Sequence, residues 1–407
     1  MPADDATAIL GGWEGYRVLR ATRREGGDGQ SAEVWIELYR ERPTYICSGC
    51  LRDRERYHDW EERWVQDLPI LDAQTHVCFP RFRVACPECG PKVELLPWLE
   101  KSARVTNRLA ESVAWLCREA TVQAAAERYG LSWDTAKAID KAYLGRTLGE
   151  PDLSNVTLLA LDEFAIKKGH RYATIFVEPT SKRVLWVCKG RSREEIRPFF
   201  EKLGGDGRRR IQAVAMDMNG AYEAEVREQC PQAEIVYDQF HVVAKYGREV
   251  IDEVRSQEAQ RQHERREREV IKGSRWLLLR NAENLKRQDQ VKLKELLAAN
   301  RKLATVYVLK DDLKRLWDYQ QANPAAQFWK EWKTRALRSG IEPLKRFARR
   351  LAEKIDGVLA HCWFPLHTSL LEGIMNQIKV IKRKAFGFRD DEYFFLKIRA
   401  AFPGIAG

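Results

Sequence analysis

Two aspartates, Asp162 and Asp217, each stand at the end of an apolar run, "TLLALDEF" and "IQAVAMDM". Such runs read as buried strands, and a carboxylate at the end of one is costly unless it is paired or holds a cation. Two carboxylates brought together repel unless a cation lies between them. An all-oxygen site with open positions suits Mg2+ or Mn2+, and the chemistry it supports is two-metal phosphoryl transfer. Each acid taken singly is equally a strand-end cap. A third ligand is required. Glu372, in "HTSLLEGIMNQIKVIKRKAFGF", is one choice, and Glu163, Asp390, Asp391 and Glu392 compete with it; charge counting does not choose among them.

A second constellation is made of sulfur. Cys47-x-x-Cys50 and Cys86-x-x-Cys89 are separated by 35 residues. One tight turn in each pair presents two thiolates to one ion, and four suit a closed, tetrahedral, structural Zn2+ site. The gap exceeds the common spacing of about 15–20 residues, so a β-hairpin must fit between the pairs. The alternative is two unrelated redox or buried pairs. Cys78, Cys117, Cys188, Cys230 and Cys362 have no partner at ligand spacing and are assigned to the core.

The elements that must position these groups follow from periodicity. Residues 157–166, 172–178 and 183–190 read as strands, "REEIRPFFEKL" as an amphipathic helix, "IQAVAMDMNGAY" as a fourth strand, and "AEIVYDQFHVV" as a fifth that carries Asp238 and His241. Three strands, a helix, a strand, a helix and a strand is the order of the RNase H-like fold, in which the first and fourth strands are neighbours. That adjacency would bring Asp162 to Asp217. A helix after Ser369 sets Leu371, Ile374, Ile378 and Ile381 near one face and Glu372, Asn376 and Lys379 on another stripe. Residues 242–355 read as helical almost throughout. Residues 12–45 are β-leaning and split by "GGDG", a turn signal. In "ATVQAAAERYGLSWDTAKAIDKAYL" two helices meet at Gly130, with Ser132 as N-cap of the second. That is the helix-turn-helix arrangement, in which Trp133, Asp134, Thr135 and Lys137 would face outward from the DNA-reading helix. Any small helical hairpin shares the pattern. Trp133, Trp276, Trp329 and Trp332 could stack on unpaired bases, but their helical spacing assigns them to packing.

The net charge of +11 is uneven: residues 241–350 hold 27 Lys and Arg against 15 Asp and Glu. A basic excess of that size suits a polyanion such as nucleic acid, or a solvated helical surface. No stretch approaches the roughly 18 apolar residues of a membrane span. The N-terminal "MPADDATAILGG" lacks a positive n-region, so no secretion signal is read there. The expected location is cytoplasmic, with reduced cysteines.

Taken together, "LDEFAIKKGHRYAT", "RVLWVCKGR", "AVAMDMNGAY", "IVYDQFHVV" and "EGIMNQIKVIKRKAFGFRD" resemble the bacterial insertion-sequence transposases of the ISL-three family. The likeness runs over nearly the whole chain. It implies a multidomain α/β protein: a β-rich four-cysteine zinc module (1–100), a helix-turn-helix (101–150), and an RNase H-like catalytic core (151–245 and 358–407) interrupted by an all-α insertion (246–357). It implies an Asp-Asp-Glu triad of Asp162, Asp217 and Glu372 holding Mg2+ or Mn2+. Asp238-x-x-His241 looks like a signature of the wider Mutator-like group, in which His241 would orient a catalytic carboxylate or the scissile phosphate; a satisfied core histidine is the alternative. The implied activity is cleavage at terminal inverted repeats and strand transfer. The implied partners are double-stranded transposon-end and target DNA, with Trp133, Thr135, Lys137, Lys379, Lys382, Arg383 and Lys384 as contacts, and at least a homodimer on DNA. A non-catalytic DNA-binding regulator derived from such an enzyme is the competing reading.

Overall fold

A computed structural model describes residues 9–26, 31–167, 171–366 and 369–404, together with Thr7 and Gly169. The "GGDG" turn signal lies outside the described residues except for Gly26. The chain divides into two compact units, Met1–Gly149 with Lys382–Leu396, and Glu150–Ile381 with Lys397–Gly407. Residues 382–396, expected with the catalytic core, therefore group with the N-terminal unit.

In the first unit, β1 (Tyr16–Arg24), β2 (Glu33–Arg40), β5 (Tyr57–Ile70), β6 (Ala73–Cys86) and β7 (Gly90–Val93) form one sheet in the order β1-β2-β6-β5, with β7 also on β6; β3 (Tyr45–Ile46) and β4 (Asp53–Arg54) make a small ribbon. The alternation in "EVWIELYR" buries Val34, Ile36 and Leu38 beside Val77 and Phe79, as a strand with one wet face requires. The β5–β6 hairpin fills the gap between the cysteine pairs, as their spacing demanded.

Three helices follow: α1 (Asn107–Glu119), α2 (Val122–Tyr129) and α3 (Trp133–Leu148). Thr106, Thr121 and Ser132 cap their N-termini, and Gly130 ends α2 at φ 63°, a conformation that favours glycine. A Cβ at Gly130 would also collide with the Gln74 side-chain amide on β6, so the turn is pressed against the sheet. The buried Asp67 of β5 joins the two layers. It accepts hydrogen bonds from Trp13 Nε1 (2.9 Å), Thr106 Oγ1 (2.6 Å) and Arg108 Nε (2.7 Å), which satisfies a carboxylate that would otherwise be unfavourable to bury.

In the second unit, β8 (Leu158–Lys167), β9 (Arg171–Glu178), β10 (Arg183–Lys189), β11 (Ala213–Met216) and β12 (Glu234–Tyr237) form a sheet in the order β10-β9-β8-β11-β12. Strand β9 is antiparallel to both β8 and β10, while β11 runs parallel to β8 and to β12. The first and fourth strands are thus neighbours, in the register Ala213↔Leu158 to Ala215↔Ala160. Helix α4 (Arg193–Arg210) packs Ile196, Phe199 and Phe200 on the sheet, with Phe199 stacked on Phe176 at 4.0 Å. Helix α5 (Gly220–Gln229) joins β11 to β12.

The fifth strand is shorter than the sequence suggested. It ends at Tyr237. Asp238 becomes the N-cap of α6 (Gln239–Tyr246), its Oδ1 accepting from Phe240 N at 2.7 Å, so His241 sits on a helix and not a strand. The capping preference of aspartate outweighed the β-propensity of "FHVV". From α6 to Cys362 the named elements are all helical, and Trp329 and Trp332 are buried among them while Trp276 and Trp133 are exposed. The last two helices are Ser369–Lys384 and Asp391–Ala401. Among the described residues no helix is long and apolar enough to cross a membrane.

Candidate functional site

The neighbouring register of β8 and β11 decides where the two aspartates go. Asp162 lies two residues beyond Ala160 on β8, and Asp217 two beyond its partner Ala215 on β11. The backbone holds each carboxylate locally: Asp162 Oδ1 accepts from Glu163 N (2.7 Å), and Asp217 Oδ1 from Met218 N (2.6 Å). From the first turn of α6, His241 reaches between them. Its Nδ1 is 3.2 Å from Asp217 Oδ1, and its Nε2 is 3.9 Å from both Asp162 Oδ1 and Asp238 Oδ2. Three carboxylates therefore surround one imidazole. Burial pushes the Asp162 carboxyl up to about 6, with Asp238 and Asp217 adding to the rise and the Glu163 N–H and His241 opposing it. A partly buried, mutually repelling acid set of this kind is the chemistry that a divalent cation relieves, and its oxygen donors fit Mg2+ or Mn2+.

Glu372 is exposed in the first turn of helix Ser369–Lys384, and among the described residues it forms no group of three ligand side chains at metal spacing with the two aspartates. Two of its competitors are engaged in the first unit: Asp390 by Lys137 and Lys141, each at 3.1 Å, and Glu392 by Lys141 at 2.6 Å. Glu163 Oε1 pairs with Arg191 Nη1 at 2.9 Å.

Among the described residues, the one group of at least three ligand side chains at metal spacing is Cys47, Cys50, Cys86 and Cys89, whose sulfurs all lie within 4.8 Å of one another. The Cys50–Cys86 Sγ separation is 3.7 Å, close to the edge of a tetrahedron with Zn–S bonds of about 2.3 Å. Gly49 N donates to Cys47 Sγ at 3.4 Å and Arg54 Nη2 to Cys50 Sγ at 3.7 Å; such donors offset thiolate charge. A Cβ at Gly49 would lie 2.8 Å from Cys89 Sγ, so the knuckle requires glycine there.

The expected DNA contacts are distributed unevenly. Trp133 is exposed at the start of α3, and Thr135 Oγ1 is bonded to Ser132 Oγ at 2.8 Å. Lys137, expected to face DNA, is held by Asp390 and lies over the rings of Trp133 (5.7 Å) and Tyr393 (5.8 Å). Lys379 and Arg383 are exposed, Lys382 is half-buried, and Lys384 donates to the Glu119 carbonyl at the end of α1. Sequence reasoning missed the acid clasp on α3. Its signal was present only as three acids, Asp390–Glu392, following a basic run.

Residues 159–398 match a family model described as a transposase, and residues 94–144 match the helix-turn-helix domain of transposase family ISL3. The chain is 51% identical over 402 residues to the transposase for insertion sequence element IS1001 of Bordetella parapertussis, covering 98% of each chain. It is 28% identical over 338 residues to the transposase for insertion sequence element IS1557 in two strains of Mycobacterium tuberculosis, covering 76% of this chain and 74% of those.

Proposed function

This chain belongs to the ISL3 family of transposases and acts as a DNA transposase, and from that premise we propose how its residues divide the work. Asp162 and Asp217, with Glu372 as the third carboxylate, would hold Mg2+ or Mn2+. The observation that carries this reading is the meeting of Asp162, in the middle of β8, and Asp217, just past the end of the neighbouring parallel β11, around His241. Bound there, a divalent ion supplies a Lewis acid and a nucleophile activated at neutral pH.

The protein's own groups do the rest. His241 and the Met218 N–H orient the Asp217 carboxylate. Asp238 caps the helix that aims His241. The buried wall around Asp162 keeps the local dielectric low, which strengthens the interaction of its carboxylate with developing charge. The first phosphodiester exchange cuts at the element end with water, and the second joins the freed 3′-hydroxyl to target DNA.

The sheet order of β8–β12 supports an RNase H-like core over 151–245; residues 358–381 and 397–407 would complete it, with 246–357 as its helical insertion. The module 1–100 would be braced by Zn2+ on its four cysteines. It would act with the helix-turn-helix of 101–150 on terminal inverted repeats, and coordinated cutting of two ends calls for at least a homodimer. The basic segments contact phosphate, so binding falls steeply with salt.

The test is cleavage of DNA carrying the repeats that flank the gene, with Mg2+ or EDTA, by the natural chain and by Asp217→Asn. Metal-dependent cuts at the repeat boundary, lost in the variant, support the assignment. Repeat binding without cuts in Mg2+ or Mn2+ would support a non-catalytic regulator.

A further inference from the structure

Helix Ser369–Lys384 ends in an unusual way. Gly387 N donates to Lys382 O (2.9 Å) and Phe386 N to Arg383 O (3.0 Å). These are the paired bonds of a Schellman cap, whose left-handed position is ordinarily filled by glycine. Here Phe386 fills it, at φ 53°, and the glycine comes one residue later. An L side chain is sterically strained in that conformation. Phe386 is also 98% exposed, so no packing offsets the strain or the hydration of the ring.

The surroundings say what such a ring could meet. Residues 373–389 contain five cations, Lys379, Lys382, Arg383, Lys384 and Arg389, and no acid. Two residues on, Phe388 stacks on Phe394 (4.5 Å, 15°) and packs edge-on against Tyr393 (5.7 Å). Tyr393 in turn donates to Asp140 of α3. The turn is therefore anchored on one side of Phe386 by the helix end and on the other by an aromatic stack against the helix-turn-helix. A rigidly held, bare aromatic ring flanked by phosphate-binding charge matches the wedge with which proteins unstack a base step.

We propose that Phe386 is a DNA wedge: it enters the base stack of the element-end duplex held by the basic turn and opens one step. The inference rests on the reading that Lys379, Lys382, Arg383 and Lys384 contact DNA. Strain at the cap is tolerated because it aims the ring outward.

The experiment uses the full zinc-loaded chain with no added Mg2+ or chelator and a duplex carrying the terminal repeat, 2-aminopurine being moved through it one position at a time. The natural chain gives a several-fold fluorescence rise at one step. Phe386→Ala loses that rise while its affinity falls by about tenfold or less, and Phe386→Trp retains it. Placing an abasic site at the responsive step restores strand cutting to Phe386→Ala in Mg2+. Phe386→Gly, which relieves the cap, raises Tm, so loss of the signal is not loss of fold.

No fluorescence rise at any position, or one undiminished in Phe386→Ala, overturns the wedge. So does a shift in oligomeric state by Phe386→Ala with unstacking intact, which would make the ring a protein contact. If Lys379, Arg383 and Lys384 changed together to Gln leave affinity and its salt dependence unaltered, the reading of the basic turn fails, and the wedge with it.

Discussion

The burial of Asp162 has a measurable consequence in the metal-free protein. Its carboxyl is raised from 3.8 to about 6. A raised carboxylic acid contributes stability that is fully present below its unfolded pKa and lost as pH rises through the folded one. At pH 7.5 the ionised group therefore destabilises the fold. Asp162→Asn keeps the bond from Glu163 N and removes the charge. It should raise stability in EDTA at pH 7.5 by about 3 kcal/mol, read by urea denaturation, while abolishing metal-dependent cutting. An unchanged or lowered stability would mean that the aspartate is satisfied as it stands and does not await a cation.

At the scale of elements, α3 and helix Asp391–Ala401 are tied by charge. Lys137 and Lys141 face Asp390 and Glu392, and these acids compete with phosphate for the same ammonium groups. Changing Asp390 to Asn and Glu392 to Gln together should tighten repeat binding about three- to tenfold. The salt slope should steepen by about one to two released counterions. A titration series in KCl measures both, and an unaltered slope would show that the two lysines never reach DNA.

The helical run offers a second test through Lys310 on helix Arg301–Lys314. Its ammonium is buried, donating to the carbonyls of Leu278 (2.7 Å) and Arg280 (3.3 Å) with Asp311 at 3.5 Å. Burial pushes it down to about 8. An unfolded lysine holds its proton to about 10.4, so between those values the unfolded state binds more protons and stability rises with pH. The penalty is constant below pH 8, and about 2–3 kcal/mol of it is relieved by pH 10. Comparing the pH dependence of stability with that of Lys310→Met isolates this contribution, because the variant should lose that part of the slope.

For the whole molecule, the two units have separate cores, one around Trp13, Ile36 and Phe79 and the other running from the β8–β12 sheet into the helices. The four cysteines lie wholly in the first. The purified chain should release one zinc ion on thiol modification. Its removal should lower the melting of the first unit and weaken repeat binding by tenfold or more, while the second unit's transition moves little. Differential scanning calorimetry with a metallochromic indicator follows both. A single transition that shifts as a whole would show instead that the units melt together.

Local and periodic features were legible from the residues alone. The CxxC spacing announced four sulfurs and the hairpin between them, because ligand geometry is set within a few residues. Gly130 and Ser132 marked the turn and the cap, because φ preference and side-chain capping are local. The apolar runs placed the strands, and their order placed β8 beside β11.

Long-range placements had no such signal. Asp238 could be read as strand or cap until the end of β12 was known. That Lys137 is clasped by Asp390, more than 250 residues away, depends on which segment the folded chain brings home. That Phe386 stands bare while Phe388 is stacked follows from a two-residue difference at a helix end that apolar pattern does not distinguish. Composition and spacing determined which groups this protein has for metal and DNA. The tertiary structure decided which of them face solvent, which face each other, and which are held in reserve, because burial and ion pairing are settled by packing between distant segments.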